Sequence, residues 1–456
     1  MAPAIITQVA PPSNTEDIKI RVKSGYASTT EALEASKARY AARHPTSLKL
    51  HEEAVKSLPG GNTRSLLHNA PFPIFMSKGE GYRVSDEDGH TYTDFVGELT
   101  AGLYGHSQSL IQQALIDSIT KTGLNLGATT KLESQHAALL CSRFHLDHIR
   151  FTNSGTEANL HAIQGARRFT GKRKIVVFTG GYHGAVFMFG DEPAENVVDK
   201  EDWIIAKYND LEDTRAKIEG SSDVAAVLVE GMQGSGPCIE ATHAFLHQVQ
   251  ESAKKVGALF ILDEVMTSRL SPGGLQDLED LKPDITSLGK YLGGGITFGA
   301  FGGREDVMAV YDPRDGKALA HSGTFNNNTL GMVAGYTGLS QVYTPDVIKE
   351  FNAKGDQFRE RLQGLSKGTK MTVTGRGSMI GVHFVKDGKK EIRSIGERLD
   401  DTELKDLFWL DMMESGFWVT KRGIIALILG TPDDALNSFV ECVEEFLTRY
   451  ERLVKL

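Results

Sequence analysis

Short apolar runs alternate with helix-forming stretches between about residues 130 and 310, and this alternation limits the fold more than any other feature of the chain. Apolar runs that are bounded in this way, with helices between them, are typical of buried parallel strands. The pattern therefore predicts an α/β sheet. The runs are His148–Thr152, Lys174–Phe178, Ala225–Val229, Ala258–Leu262, Ile285–Leu288 and Ala300–Gly302.

The sequence before this region predicts a loose arm over residues 1–27, followed by a helix and a hairpin. The helix, Thr29–Arg43, is rich in Ala and Glu and has Ser28 or Thr29 as its cap. Two short strands on either side of Asp86–Gly89 predict a β-hairpin, because that turn is rich in Asp and Gly. These strands are Gly81–Val84 and Thr91–Phe95.

The sequence after about residue 336 predicts a smaller α+β domain. It contains helical stretches, the short strands Met371–Val373 and Gly381–Phe384, and a final amphipathic helix, Asp433–Val454. A chain of 456 residues is too long for one core and indicates two or three packed units. We predict an N-terminal arm with part of a small domain over 1–95, a large domain over 96–335 and the C-terminal small domain over 336–456.

Composition excludes several classes of protein. The net charge is −9 and no basic stripe is present, so nucleic-acid binding is not predicted. The three cysteines, Cys141, Cys238 and Cys442, are sparse and lack CxxC spacing, which argues against disulfides and against a metal cluster. Neither a signal peptide nor a membrane-spanning run is seen, and a cytoplasmic location is the default.

Two charged residues follow predicted strands. Asp263 ends an apolar strand, where a carboxylate can face a cofactor cation, although such pairs as Asp263-Glu264 are also common without a role. Lys290 follows another strand, with Gly293-Gly294-Gly295 just after it. A buried lysine there can be a neutral nucleophile towards a carbonyl, whereas the ordinary alternative is a surface lysine on a glycine loop.

Two further segments also follow strands. Ser154, Gly155 and Thr156 open a helix, where hydroxyls and backbone amides bind phosphate, although an ordinary helix cap fits as well. Tyr182 and His183 lie between glycines, as suits stacking on a flat ring, although such a pair is more often structural. A phosphate cup, a stacking face, a carboxylate and a nucleophilic lysine at the ends of one sheet are what a pyridoxal-phosphate site needs.

The motifs at these strand ends resemble those of the class III aminotransferases over roughly residues 45–455. The resemblance is closest to the branch that holds glutamate-1-semialdehyde aminomutases and β-amino-acid (β-phenylalanine) aminotransferases. It implies the aspartate-aminotransferase-like fold (fold type I), with a mostly parallel seven-stranded sheet in the large domain and a small α+β domain from both termini. The segments that carry it are 153–158, 181–184, 263–266, 288–290, 293–295, 299–303 and 321–325.

The resemblance implies an enzyme that uses pyridoxal 5′-phosphate. Lys290 would form the internal aldimine and move the substrate's Cα proton, while Asp263 would pair with the protonated ring nitrogen. Thr324 would reach the phosphate of the neighbouring subunit, which implies a homodimer with shared sites. The remaining cofactor contacts would come from Ser154, Gly155, Thr156, Tyr182 and Val265 on the two ring faces, His183 and Glu230.

Two arginines match carboxylate-binding arginines of relatives, and the ordinary alternative for either is a surface ion pair. Arg64 matches one used for β-amino acids, and Arg422 matches a second near the C-terminus. Relatives usually have Pro at the positions of Gly231 and Thr297, and Gly-Phe-Arg where this chain has 268–270. The last departure removes the usual substrate arginine.

The predicted reaction moves an amino group from an amino acid, with a β-amino acid preferred, or from an amine, to a keto acid such as pyruvate or 2-oxoglutarate. An aminomutase, which moves the group within one substrate, is the alternative in the same family. A nicotinamide oxidoreductase would need GxGxxG after the first strand, and 293–303 does not fit that context. A cofactor-binding regulator would usually lack the lysine or carry a DNA-binding domain, and neither is seen.

Overall fold

The computed structural model describes residues 25–192, 194–195 and 199–456, so most of the predicted arm at 1–27 lies outside the described residues. The predicted first helix is confirmed, and Ser28 caps it by accepting a hydrogen bond from the amide of Glu31. The helices are α1 (Thr29–Arg43), α2 (Pro45–Ala54), α3 (Ser109–Asp117), α4 (Lys131–Phe144), α5 (Gly155–Thr170), α6 (Leu211–Glu219), α7 (His243–Val256), α8 (Leu275–Leu278), α9 (Glu305–Met308), α10 (Thr329–Thr337), α11 (Pro345–Leu365), α12 (Thr402–Glu414), α13 (Asp433–Arg449) and α14 (Glu451–Val454).

Each of the six apolar runs singled out between residues 130 and 310 forms a strand, with bounds that differ by at most one residue. The strands are β1 (Met76–Glu80), β2 (Arg83–Asp86), β3 (Thr91–Asp94), β4 (His148–Thr152), β5 (Lys174–Phe178), β6 (Trp203–Ala206), β7 (Val224–Glu230), β8 (Met232–Gln233), β9 (Ile239–Glu240), β10 (Leu259–Asp263), β11 (Ile285–Gly289), β12 (Gly299–Gly303), β13 (Met371–Arg376), β14 (Met379–Phe384), β15 (Phe417–Trp418) and β16 (Ile424–Ala426).

The central sheet has seven strands in the order β4-β12-β11-β10-β7-β5-β6. The prediction that all the apolar runs are parallel strands is wrong for Ala300–Gly302, because β12 is antiparallel to both β11 and β4. Only residues 290–298 join β11 to β12, and a parallel return needs a crossover of a dozen residues or more. The strand β6 was not predicted.

Both faces of the sheet are buried, which explains the unbroken apolar runs. In β5, Val176 and Phe178 belong to one apolar core, whereas Ile175 and Val177 belong to the core on the opposite face. Side chains of a strand alternate between faces, so a strand covered on both sides needs apolar residues at every position.

The smaller part of the molecule joins both ends of the chain. The predicted hairpin is present as β2 and β3, and β15 pairs with β3 in parallel, which places Phe417 opposite Thr93. A three-stranded sheet of β13, β14 and β16 lies in the C-terminal part. The domain boundaries at 95/96 and 335/336 stay predictions.

The prediction of one continuous final helix over Asp433–Val454 is wrong, because the segment forms two helices. Helix α13 ends at Arg449, and Tyr450 leaves helical geometry with φ −105° and ψ 27° before α14 begins. The Tyr450 side chain is buried, and its ring packs 5.0 Å from that of Phe446. The apolar periodicity does not show this break, because the buried Tyr450 continues the apolar face through it.

Among the described residues, no helix combines the length and the apolar character needed to cross a bilayer. The cysteines are all free thiols, as expected from their spacing.

Candidate active site

The carboxyl ends of five central strands open on one cavity of about 700 Å³. In an open α/β sheet, ligands bind at this edge, where loops leave the strands. Each predicted cofactor residue except Thr324 lines the cavity, and these residues come from the ends of β4, β5, β7, β10 and β11. They are Ser154, Gly155, Thr156, Tyr182, His183, Glu230, Asp263, Val265 and Lys290.

Lys290 directly follows β11 and reaches into this cavity. Its Nζ donates a hydrogen bond to the carbonyl of Leu99 at 2.7 Å. Burial lowers the pKa of the Lys290 amine to about 8, although the negative charges of Asp263 and Glu230 oppose that shift. About a tenth of this amine is therefore neutral at pH 7, and the neutral form is the one that a nucleophile or a base requires.

Asp263 ends β10 and is buried beside Lys290's cavity. Its Oδ2 accepts hydrogen bonds from His183 Nδ1 and Asn159 Nδ2, both at 2.8 Å, and its Oδ1 accepts one from the amide of Val265 at 3.0 Å. These donors hold the carboxylate in a single orientation. Asn159 was not predicted, and the only signal in the sequence is an amide on the buried face of α5.

His183 does not share the surroundings of Tyr182. The imidazole is 2% exposed and is held against Asp263, whereas Tyr182 is 42% exposed at the cavity. The two neighbours therefore do not form a joint stacking face. Tyr182 is the ring available to a flat ligand, and Val265 lines the same cavity.

The N-terminus of α5 lies at one end of the cavity. Ser154 caps the helix by accepting a hydrogen bond from the amide of Glu157 at 3.2 Å. The first backbone amides of a helix lack intrahelical acceptors and favour an anion. A Cβ at Gly155 would lie 2.8 Å from Val265, so only glycine lets α5 approach β10 this closely.

Glu230 ends β7 and accepts hydrogen bonds from the amides of Tyr182 at 2.9 Å and Gly234 at 3.0 Å. Burial raises the pKa of Glu230 to about 7; the charge of Asp263 adds to the shift, and His183 opposes it. The residues of the cavity thus combine an anion site, a fixed carboxylate, an exposed aromatic ring and an amine. This donor set fits pyridoxal phosphate.

Arg64 and Arg422 line a second cavity of about 990 Å³. The structure brings these two arginines together, and Glu98 and His106 line both this cavity and that of Lys290. Arg64 forms an ion pair with Glu98 in which both side chains are about half exposed. Arg422 donates to the carbonyl of Ser235 at 2.7 Å and to its hydroxyl at 3.1 Å.

Thr324 lines a third cavity and stands apart from the other predicted residues. Thr297 borders both that cavity and the cavity of Lys290. A single chain therefore does not bring Thr324 to Lys290, and its role towards a neighbouring subunit stays a prediction.

The structure gives a local reason for one departure from the family pattern. A Cβ at Gly231 would overlap Cδ2 of Leu275, so a larger residue there would require the buried Leu275 side chain to move. Arg269 is fully buried and donates to the carbonyl of Leu427 at 2.6 Å. It lies outside the residues that line the Lys290 cavity and does not replace the usual substrate arginine.

Comparison with known proteins agrees with this geometry. The sequence model of the family described as "Aminotransferase class-III" matches residues 67–190 and 188–432. An uncharacterized aminotransferase of Schizosaccharomyces pombe is 47% identical over 427 residues, which are 93% of this chain and 97% of that protein. A glutamate-1-semialdehyde 2,1-aminomutase of Geobacillus thermodenitrificans is 32% identical over 88% of this chain and 97% of its own length.

A β-phenylalanine transaminase of Variovorax paradoxus is 43% identical over 92% of this chain and 97% of its own length. The crystal structure of the β-phenylalanine aminotransferase from that organism superposes with a TM-score of 0.91, covering 94% of this chain and 99% of that one. The fold is thus that of the fold type I pyridoxal-phosphate transaminases, as predicted. The chain belongs to the class III aminotransferases and is a transaminase whose cofactor is pyridoxal 5′-phosphate.

Proposed function

We propose that this enzyme takes the amino group of a β-amino acid, or of a related amine, and passes it to a keto acid such as pyruvate or 2-oxoglutarate. The observation that carries the proposal is the second cavity, where Arg64 and Arg422 lie next to the cavity of Lys290. The likeness to a β-phenylalanine transaminase supports it.

A β-amino acid carries its carboxylate one carbon further from the amino group than an α-amino acid does. A carboxylate site in a cavity that adjoins the reacting amine suits this larger separation. The planar guanidinium of Arg64 can take a carboxylate through two parallel hydrogen bonds. To bind a substrate carboxylate, Arg64 must first give up its ion pair with Glu98.

Pyridoxal phosphate supplies, when bound, an electrophilic carbon for the amine and a sink for electrons released at the substrate carbon that bears the amino group. We assign to Lys290 the holding of the cofactor and the movement of the proton of that carbon, since its side chain reaches into the cavity and its amine has a pKa of about 8. Asp263, fixed by His183 and Asn159, would hold a protonated ring nitrogen. Proton transfer by a positioned group of this kind typically contributes about 10²–10⁴-fold.

The other cavity residues bind and orient the cofactor in this proposal. The amides and hydroxyls of Ser154, Gly155 and Thr156 hold the phosphate at the start of α5. Tyr182 and Val265 would lie against the two faces of the cofactor ring. Glu230 holds the backbone of Tyr182 in place by accepting a hydrogen bond from the Tyr182 amide.

We also propose a homodimer in which Thr324 serves the partner's cofactor. Large apolar side chains lie exposed next to Thr324, and a surface of this kind marks a protein interface. Leu124, Leu126 and Phe325 line the cavity of Thr324 and are 47%, 48% and 56% exposed. The neighbouring exposed apolar side chains are Leu110, Ile116 and Ile119.

Sedimentation tests the dimer. The parent enzyme is expected to sediment at twice the mass of the chain, and Leu124→Asp is expected to shift it towards the monomer and weaken cofactor retention. Equal masses for parent and variant, with both monomeric, would contradict the dimer. A dimeric parent in which Thr324→Ala retains cofactor as the parent does would contradict the role of Thr324.

A screen of donors and acceptors tests the reaction. β-Amino acids are expected to give a keto product only when pyruvate or 2-oxoglutarate is present, with one aminated acceptor formed for each product. The aminomutase alternative, favoured by the 32% identity to an aminomutase, needs no acceptor. Isomerisation of a single substrate without any keto acid would therefore replace our proposal with that alternative.

A further inference from the structure

Two histidines and an aspartate meet at a corner outside the cavity of Lys290. His44 lies between α1 and α2, Asp86 ends β2, and His90 lies in the turn before β3. One nitrogen or oxygen atom from each of the three lies within 4.8 Å of the other two. The proposed transamination gives this cluster no role, because its members lie outside the residues that line the catalytic cavity.

The buried members of the cluster present lone pairs to one another. His44 Nδ1 lies 2.7 Å from the carbonyl oxygen of Tyr40, and since a carbonyl only accepts, Nδ1 carries a proton and Nε2 of the neutral ring presents a lone pair. The Tyr92 hydroxyl lies 3.0 Å from that Nε2 and 2.7 Å from Asp86 Oδ2, and His90 Nδ1 lies 3.0 Å from the same Oδ2. A cation bound to Nε2, Oδ2 and His90 Nδ1 would take the place of the hydrogen bonds that now join these atoms.

The spacing of the donor atoms matches a small four-coordinate cation. Asp86 Oδ2 lies 3.6 Å from His44 Nε2 and 3.0 Å from His90 Nδ1. Ligands about 2.0–2.1 Å from a tetrahedral Zn²⁺ are separated by roughly 3.3 Å, so these two separations lie on either side of that value, and the ligand atoms of His44 and His90 lie within 4.8 Å of each other. Two imidazoles and one carboxylate are ligands that Zn²⁺ accepts.

The surroundings hold the ligand atoms in place. A histidine that binds a metal usually donates its other ring N–H to a carbonyl or a carboxylate, as His44 does to Tyr40. Asp86 Oδ1 accepts from the amides of Asp88 and His90, at 3.0 and 2.8 Å, so Oδ2, which faces the Tyr92 hydroxyl and His90 Nδ1, is the oxygen that would bind the cation.

Burial indicates a structural site with a path for the ion. The Asp86 side chain is fully buried, the His44 ring is 5% exposed, and the His90 ring is 27% exposed. Two ligands are therefore sheltered, and the third is reached from solvent. A bound ion would join the corner between α1 and α2 to the β2–β3 hairpin.

We propose that His44, Asp86 and His90 form a structural Zn²⁺ site, with water or the Tyr92 oxygen as the fourth ligand. The sequence predicted no metal site, because that prediction considered cysteine clusters. The proposed site contains none, and its ligands are separated by 42 and four residues along the chain.

Titration of the tag-free holoenzyme tests the site, after treatment with a chelator and dialysis. We expect one Zn²⁺ per chain by calorimetry and a rise in the thermal midpoint on Zn²⁺ addition. His90→Asn removes the most exposed ligand and is expected to weaken Zn²⁺ binding by at least about tenfold. His145→Asn is the matched control, because His145 pairs with Asp277 at 2.9 Å on the surface and its left-handed backbone suits asparagine.

Absence of stoichiometric binding by the parent would overturn the proposal, as would equal affinities for the parent and His90→Asn. If His90→Asn does not fold, Co²⁺ titration of the parent decides. Intense visible absorption of four-coordinate Co²⁺ is the expected result, and a pale six-coordinate spectrum would contradict the site.

Discussion

His183 donates a hydrogen bond from Nδ1 to Oδ2 of Asp263 over 2.8 Å, and both side chains are buried. A carboxylate only accepts, so the contact fixes which ring nitrogen of His183 carries the proton. Asn159 donates to the same oxygen from the neighbouring helix. The carboxylate is thereby aimed before any ligand arrives.

Asp263→Asn is expected to keep cofactor binding and to lose most activity. The amide occupies the same space but cannot balance a ring cation, so the electron sink weakens. Removing one such electrostatic contact typically lowers kcat by roughly 10²–10³-fold. The check is a measurement of kcat on variant protein that retains its cofactor. Unchanged turnover would mean that the partner of the ring nitrogen lies elsewhere.

The pKa of Lys290 sets how fast the apoenzyme captures its cofactor as pH changes. Burial lowers this pKa to about 8, and only the neutral amine attacks an aldehyde, so the capture rate should rise with pH through a midpoint near 8. The charge of Glu230 raises the same pKa, so Glu230→Gln should move the midpoint to lower pH. Stopped-flow absorbance at several pH values measures both midpoints. An unshifted midpoint in the variant would show that Glu230 does not act on Lys290.

Arg64→Ala is expected to raise the KM for carboxylate donors. Hydrogen bonds from a guanidinium to a carboxylate are worth roughly 1.5–3 kcal/mol, which is about one to two powers of ten in affinity. An aryl-alkyl amine without a carboxylate never makes the contact and should be nearly unaffected. Paired KM measurements with a β-amino acid and such an amine check this. Equal losses would give Arg64 a structural role, and no loss would place recognition on Arg422 or another residue.

Glu98→Gln should have the opposite effect on the same donors. Glu98 now pairs with Arg64, so a donor carboxylate must displace it. An exposed ion pair is worth about 0.2–1 kcal/mol, so the KM for β-amino acids should fall up to roughly fivefold. A raised KM would show that Glu98 helps to bind the donor. The amine substrate again serves as the control.

Much of the fold could be predicted because a buried strand is recognisable from the apolar residues of its own short segment. Strands covered on both faces are apolar throughout, as in β5 and β7, and they were located to within one residue. The direction of β12 could not be read in this way. It depends on the short connection after Lys290 and not on the apolar pattern of the strand.

The same distinction between local pattern and long-range contact applies to the residues of the candidate site. Residues with distinctive chemistry at strand ends, Asp263 and Lys290, could be singled out from the sequence. Asn159 and the pairing of Arg64 with Glu98 could not, because they depend on contacts between residues 104 and 34 positions apart. Periodicity and motifs do not contain such long-range geometry.

Transamination by Lys290→Ala tests the central claim most directly. The variant should keep its circular dichroism spectrum, because the Lys290 side chain reaches into the cavity and donates its hydrogen bond, at 2.7 Å, to a backbone carbonyl and not to a side chain of the core. With a β-amino acid and pyruvate, we expect turnover to fall by more than about 10²-fold, since both cofactor attachment and proton transfer are lost. Turnover within about tenfold of the parent, far less than the loss of a positioned acid–base group, would contradict the assignment of Lys290.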